Sequence, residues 1–118
     1  MEESFRSHER IKKKQEFLFL YKKGARYRGN YLKIIYFPNE LEYSRAGIVV
    51  GKKIGNASRR NYIKRIMRAL FRRNKNLLNK NIDVLLIPEK NIHNASWSLL
   101  QKEYKQALEF IFNKDLSL

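Results

Sequence analysis

The chain has 118 residues, of which 43% are apolar, so it can form one domain with a modest core and is not a disordered tail. Its net charge of +15 indicates a polyanionic partner, with nucleic acid as the first candidate and an anionic membrane surface as the second. The absence of cysteine excludes disulfides, thiolate zinc sites and cysteine nucleophiles.

No signal in the sequence indicates a membrane or secreted protein. No apolar run approaches the ~20 residues of a membrane span, and residues 1–14 lack the apolar segment of a secretory signal. We therefore expect a cytoplasmic protein. We also expect no membrane partner, because the basic helix described below leaves no broad apolar face free for lipid. His8 and His93 lie far apart in polar surroundings, so both are predicted to be surface residues rather than metal ligands.

The first half of the chain predicts one helix and two strands. Residues 1–10 are polar and predicted to be frayed, and residues 11–23 form a helix that ends at Gly24. Its apolar run at residues 17–21 allows two interpretations. Either protein covers both faces of the helix, or one aromatic face borders a groove and stacks on bases. Residues 25–30 are predicted to be a basic connector.

Aromatic and β-branched residues predict strands at 31–37 and 45–50, antiparallel to each other across a short loop. A third strand at 82–87 has an apolar run that predicts burial on both faces. Ser96 is predicted to cap a final helix, with Trp97 in the core. The order α-β-β-α-β-α predicts a single domain over 1–118, an α/β (α+β) two-layer sandwich with a small three-stranded sheet.

A strongly basic segment separates the second and third strands. No Asp or Glu occurs from residue 44 to residue 82, so the charges of this segment lack the opposite-sign neighbours that support an ordinary surface helix. Read as a helix from about Asn56, the segment has one buried stripe, made of Ile63, Ile66, Met67 and Leu70, with Tyr62 and Phe71 on its two flanks. The adjacent arc is polar and mostly cationic, and consists of Arg60, Asn61, Lys64, Arg65, Arg68 and Arg72.

This arc repeats cations at every fourth residue, about 6 Å apart along the helix, which suits successive phosphates of a nucleic-acid backbone. The flanking strands can be parallel with the helix as their crossover, for which general sterics favour a right-handed connection. The chain has two Asp residues and no carboxylate or histidine pair with convincing spacing for RNA cleavage. We therefore expect a binding protein with no catalytic residues and no metal site of its own.

The run GKKIGNASRRNYIKRIMRALF resembles the protein subunit of bacterial ribonuclease P. That family has Lys-Lys-x-Gly-Asn-Ala followed by Arg-Asn-x-x-Lys-Arg-x-x-Arg, and the likeness extends over nearly the whole chain. Two positions depart from the family pattern. Tyr62 stands where Arg is frequent, which removes one expected RNA contact, and Gly51 stands where Ser is frequent.

The resemblance implies a subunit of a ribonucleoprotein endoribonuclease, with one protein bound to each catalytic RNA. The RNA and its Mg²⁺ ions would remove the 5′ leader of precursor tRNA, and the protein alone would not be catalytic. It also implies a left-handed β-α-β crossover around the basic helix, contrary to the general preference.

The resemblance further implies two sets of binding residues. Phe17, Tyr21 and Lys53 would contact the single-stranded leader in a cleft between the first helix and the sheet. The residues implied to bind the RNA subunit are Lys52, Lys53, Asn56, Arg60, Asn61, Lys64, Arg65, Arg68 and Arg72. The competing interpretations are a basic structural RNA-binding protein, such as a ribosomal protein, and a stand-alone nuclease, which the missing catalytic cluster disfavours.

Overall fold

The computed structural model describes residues 4–113 and contains one more strand than the sequence predicts. The additional strand falls in the segment predicted to be a basic connector. It pairs antiparallel along the open edge of the next strand, and of its four residues only Tyr27 is half-buried. In chain order the elements are α1 (Lys14–Lys23), β1 (Ala25–Arg28), β2 (Leu32–Pro38), β3 (Arg45–Ile48), α2 (Ala57–Arg73), β4 (Ile82–Pro88) and α3 (Trp97–Asn113).

The last strand in sequence, β4, lies inside the sheet, whose order is β1-β2-β4-β3. It pairs antiparallel with β2 and parallel with β3. The predicted antiparallel orientation of β2 and β3 is correct, because β4 is antiparallel to β2 and parallel to β3. The two strands are not neighbours, however, since β4 lies between them and pairs with both. The parallel β3-α2-β4 unit with the basic helix as its connection is confirmed, and its left-handedness stays a prediction.

Helices cover both faces of the sheet. Alternate residues of β2 and β4 point to opposite sides. Ile34 and Val84 join the core formed with α2 and α3, whereas Ile35 and Leu85 pack with Leu20 of α1. The α/β class is confirmed, and α1 adds a third layer to the two that the sequence predicts.

The main core lies between the sheet and the two longer helices. From α2 it takes Ile63, Met67 and Leu70, as predicted, but Ile66 is only half-buried. Phe71, predicted on the flank of the stripe, is fully buried instead. Its ring lies 5.2 Å from that of Phe5, so the N-terminal segment covers what would otherwise be an exposed edge of the helix.

That N-terminal segment is packed from residue 4, which corrects the predicted fraying for residues 4–10; residues 1–3 lie outside the described residues. Glu9 is 4% exposed and forms an ion pair with Lys75, with 2.6 Å between Oε2 and Nζ. Ile11 donates its backbone N–H to the carbonyl of Ala46 in β3 at 2.9 Å. The segment therefore connects β3 to the end of α2.

The start of α3 follows the predicted cap. Ser96 Oγ accepts a hydrogen bond from the backbone N–H of Leu99 at 3.2 Å. Trp97, predicted to be in the core, is only half-buried, because it is the first residue of the helix and lies at the rim of the core.

Tyr104 in the middle of α3 gives a test of the core. Its side chain is fully buried, its hydroxyl has no hydrogen-bond partner within residues 4–113, and burial raises the pKa of the phenol. A buried unpaired polar group costs about 1–3 kcal/mol. We expect Tyr104→Phe to leave the free energy of unfolding at pH 7 unchanged or to raise it by about 1 kcal/mol, measured by urea denaturation.

The same substitution has an expected pH dependence. The unfolded chain begins to lose the phenolic proton near the ordinary pKa of 10.0, whereas the folded protein retains it. Wild-type stability should therefore fall relative to Tyr104→Phe as the pH rises above about 10. A variant less stable than wild type by more than about 1 kcal/mol at pH 7 would contradict the assignment of an unpaired hydroxyl.

Candidate nucleic-acid interface

The basic helix α2 begins at a well-defined cap. Asn56 Oδ1 accepts a hydrogen bond from the backbone N–H of Arg59 at 2.9 Å, which satisfies one of the free donors of the first turn. Gly55, just before the cap, has a φ of 147°, a conformation that side-chain-bearing residues rarely adopt. Asn56, implied to contact RNA, thus also fixes where the helix starts, while remaining exposed.

Four cations follow one another along α2 at intervals of four residues. We call Arg60, Lys64, Arg68 and Arg72 the cationic row. All four side chains are half-buried, and none forms an ion pair with a carboxylate within residues 4–113. Stems packed against the protein with free charged ends are typical of long basic side chains at an interface. The row is therefore an unneutralised line of charge, ordered in advance for a polyanion.

The other predicted contacts of this region are exposed, but they do not all lie on the row. Asn61 is exposed beside it, whereas Arg65 leans the other way and places its Cζ 5.9 Å from the centre of the Tyr62 ring. Lys52 and Lys53 belong to a short 3₁₀ turn before α2 and are also exposed. The Nζ of Lys53 lies 3.6 Å from a carboxylate oxygen of Glu89, a loose surface ion pair.

Helix α1 packs across the opposite face of the sheet. Only Leu20 of its apolar run is fully buried, whereas Leu18 and Phe19 are 55% and 48% exposed and Tyr21 is 36% exposed. The interpretation in which protein covers both faces of α1 is therefore wrong. Phe17 is half-buried and lies over Gly47 of β3, where an added Cβ would come within 2.8 Å of its ring.

Several backbone and side-chain contacts fix the C-terminal end of α1. Arg26 of β1 donates from Nη2 to the carbonyl oxygen of Tyr21 at 2.9 Å and from Nη1 to that of Gly24 at 3.4 Å. A cation bound to the last carbonyls of a helix is a favourable cap. The exposed ring of Tyr21 is thus presented on a helix end that the sheet edge holds in place.

Basic residues also lie on the side of the sheet that α1 covers. Ile35 faces α1, so Lys33 two residues earlier shares that face, and Arg28 is paired directly with Lys33 across the strands. We call the surface formed by Phe17, Tyr21, Lys33 and Arg28 the α1 face. Neither residue was predicted as a contact from the sequence, because Arg28 fell in the segment predicted to be a connector and Lys33 is a single cation within an apolar strand.

A partly buried network of ion pairs joins α1 to the sheet. It was not predicted from the sequence. Arg45 of β3 donates to Asp83 of β4 at 3.0 and 2.6 Å and to Glu16 of α1 at 2.9 Å. Asn39 Nδ2 donates to the same Asp83 at 2.8 Å. The hydrogen bonds to Asp83 raise the pKa of the Arg45 guanidinium above its ordinary value, although burial opposes this. The position of Asp83 within an apolar strand could have indicated the network, because a carboxylate there needs a cation from a neighbouring strand.

The cationic row and the α1 face lie on different layers of the protein. The row is on α2, on one side of the sheet, and Phe17 and Tyr21 are on α1, on the other. The structure therefore does not gather the predicted residues into one site. It provides two separate surfaces. The Lys52–Ile54 turn follows β3 in the chain, and β3 belongs to the sheet on which both layers pack.

Residues 4–113 contain neither a cluster of metal ligands nor a membrane-spanning helix. Within residues 4–113, no group of three His, Asp or Glu side chains is placed to hold a metal. None of the helices in this range has the length and apolar character needed to cross a bilayer.

Comparison with known proteins identifies relatives over most of the chain. The family model for ribonuclease P matches residues 5–111. The ribonuclease P protein component of Thermotoga maritima is 42% identical over 92 residues, covering 78% of this chain and 79% of the relative. That of Fusobacterium nucleatum is 38% identical over 102 residues, covering 86% and 92%.

Solved structures show the same fold. The RNase P protein of Staphylococcus aureus superposes with a TM-score of 0.78 at 31% identity and covers 87% of this chain and 94% of its own. The RNase P protein of Thermotoga maritima gives a TM-score of 0.78 at 33% identity, covering 86% and 96%. Sequence and structure agree over nearly the same residues, and the chain therefore belongs to the ribonuclease P protein family.

Proposed function

We propose that this chain is the protein component of a cytoplasmic ribonuclease P and that it binds two RNAs through its two surfaces. The cationic row on α2, with the neighbouring Lys52, Lys53 and Asn61, binds the backbone of the catalytic RNA. The α1 face binds the single-stranded 5′ leader of precursor tRNA. The bound RNA, with its Mg²⁺ ions, hydrolyses the phosphodiester bond that frees the mature tRNA 5′ end, and one protein serves each RNA.

The observation that carries this proposal is the row of four cations, which have no carboxylate partner within residues 4–113, in a chain whose family is known. Phosphate contacts of this kind position an RNA with little sequence readout. Stacking on exposed aromatic rings is equally tolerant of sequence, because every base has a π-face. Both properties suit a subunit that must accept many precursor tRNAs with different leaders.

The protein itself contributes binding and placement. The α1 face and the row lie on opposite sides of the same sheet, so a leader bound at one surface would be held at a set distance from an RNA bound at the other. Such placement lowers the entropy cost of bringing the scissile bond to the catalytic RNA. Divalent ions would be held by the RNA, because the described residues offer carboxylates only in ion pairs or singly.

The proposal is tested by cleavage of a precursor tRNA at low Mg²⁺ with a bacterial ribonuclease P RNA, with and without this protein. We expect stimulation that is larger for a substrate with a 5′ leader than for one with a leader of a single nucleotide. Tight RNA binding without any stimulation would favour the alternative of a structural RNA-binding protein. Cleavage by the protein without RNA would favour a stand-alone nuclease.

Tyr21→Ala gives a sharper test of the α1 face. The ring is exposed, so its removal should weaken affinity for precursor tRNA by about 5- to 150-fold, the effect of losing one base stack. Affinity for mature tRNA and for the catalytic RNA should be unchanged. Fluorescence anisotropy of labelled tRNAs bound to the holoenzyme measures both affinities. Leu99→Ala is the matched control, since Leu99 is 46% exposed on α3, on the other side of the sheet. Equal losses of affinity for precursor and mature tRNA would contradict the assignment of the α1 face as the leader-binding surface.

A further inference from the structure

A second surface of α2, separate from the cationic row, combines aromatic rings with cations. It is a groove of about 380 Å³ between α2 and the start of α3, which we call the α2–α3 groove. Its volume falls within the range of small-ligand sites, about 300–1,000 Å³. The residues that line it are Tyr62, Arg65, Ile66, Ala69, Arg73 and Trp97.

An arginine guanidinium group lies over each aromatic ring of the groove. The Cζ of Arg65 lies 5.9 Å from the centre of the Tyr62 ring, and the Cζ of Arg73 lies 5.6 Å from that of Trp97. Both distances are near the ~6 Å limit of cation–π contact, so the guanidinium groups rest on the rings without being held firmly. Neither arginine has a carboxylate partner within residues 4–113.

The rest of the lining makes the groove accessible and apolar at its base. Tyr62 is 50% exposed and Trp97 is half-buried, so both rings remain open to a ligand. Ile66 is half-buried and Ala69 is small, which leaves room between α2 and α3 at this point. No acidic residue lines the groove, so nothing in it repels an anion.

This combination of groups matches one chemical class of ligand. Unpaired nucleotides are bound by stacking the base on aromatic side chains or guanidinium planes, while cations hold the adjoining phosphate. A peptide or lipid would use the apolar floor, but it would not require, beside two rings, two arginines that have no carboxylate partner in the described structure. A duplex backbone would use the arginines but not the rings.

We propose that the α2–α3 groove is a binding site for a single unpaired nucleotide of RNA. The base stacks on Tyr62 and Trp97, and Arg65 and Arg73 contact its phosphates. The site lies on the opposite flank of the buried stripe of α2 from Arg60 and Lys64, so α2 contacts RNA on both sides. Under the proposed function, on which this assignment rests, the nucleotide belongs to the catalytic RNA that the cationic row binds.

Trp97 is the only tryptophan of the chain, so its fluorescence reports directly on the groove. The probes are hexaadenylate and an abasic ribose-phosphate hexamer of the same charge, added to the full chain carrying Tyr21→Ala to weaken binding at the α1 face. We expect hexaadenylate to quench Trp97, and the abasic hexamer to bind by charge, as measured by competition, without quenching. Tyr62→Ala should weaken the affinity measured by quenching about tenfold, whereas Tyr62→Phe should retain it.

The outcomes separate this assignment from the proposed function. Equal quenching by both hexamers, or none by either, would overturn the nucleotide site even if the protein stimulates precursor cleavage. Quenching by hexaadenylate alone, with the Tyr62→Ala loss, would support the site even if cleavage is not stimulated. Because Tyr62 is exposed, its substitutions should leave the unfolding midpoint unchanged. A Tyr62→Ala variant that binds hexaadenylate as tightly as wild type would also overturn the assignment of the nucleotide site.

Discussion

Replacing Arg60, Lys64 and Arg68 together by glutamine should weaken binding of the catalytic RNA by about 10²- to 10³-fold in 0.1 M salt. Each lost phosphate contact removes the release of roughly 0.7–0.9 counterion, so the slope of log K against log salt should become shallower by about two to three. Filter binding or anisotropy across a range of KCl concentrations measures both quantities. The fold should persist, because these side chains are half-buried by their stems only and form no ion pair in the described structure.

A matched control has the same change in net charge elsewhere on the surface. Lys80, Lys90 and Lys102 are all exposed, and none is on α2. Their joint replacement by glutamine lowers the net charge of +15 by the same three units. We expect a loss of affinity well below tenfold for this variant. Similar losses in the two triple variants would mean that overall charge, and not the cationic row, determines RNA binding.

Arg45→Leu should cause a large loss of stability for a substitution outside the apolar core. It leaves the carboxylates of Asp83 and Glu16 without their cation, and Asp83 keeps only the hydrogen bond from Asn39. Removing one partner of a largely buried ion pair costs about 3–5 kcal/mol. Since Arg45 remains 18% exposed, we expect a decrease of about 2–3 kcal/mol in the free energy of unfolding, measured by urea denaturation.

Two further variants make this result specific. Arg45→Lys keeps the charge but cannot hold both carboxylates with one planar group, so an intermediate loss is expected. Arg28→Ala removes an exposed arginine from the edge strand and should change stability by less than about 0.5 kcal/mol. If Arg45→Leu were as stable as wild type, the network would not hold α1 against the sheet. Arg45→Leu should also reduce the preference of the holoenzyme for precursor over mature tRNA, because it releases Glu16, which lies on the helix that carries Tyr21.

The sequence predicted best what depends on local periodicity. The stripe Ile63, Met67 and Leu70 and the cationic row beside it follow from helical spacing alone, and the structure confirms that these residues take separate faces. The cap at Ser96 is also confirmed, because capping depends only on neighbouring residues. The parallel strands around α2 are confirmed as well, because a helix between two strands is the usual connection of a parallel pair. These elements include most of the RNA contacts that the resemblance implied.

What the sequence could not predict depends on long-range packing. The edge strand β1 forms because β2 offers it a free edge, not because of its own residues. Phe71 is buried only because Phe5 returns to cover it. The α2–α3 groove needs Tyr62 and Trp97, which are 35 positions apart, to meet across two helices, and no local pattern relates them.

The position of β4 inside the sheet has a consequence for synthesis on the ribosome. Seven residues of β2 and four of β3 pair with this strand, yet it begins at Ile82, after both of them have left the ribosome. Until then β2 and β3 each present an unpaired edge, and an exposed apolar edge strand is a template for aggregation. The sheet therefore closes late, and the high positive charge of the preceding residues 44–82 opposes contact between neighbouring nascent chains during that delay.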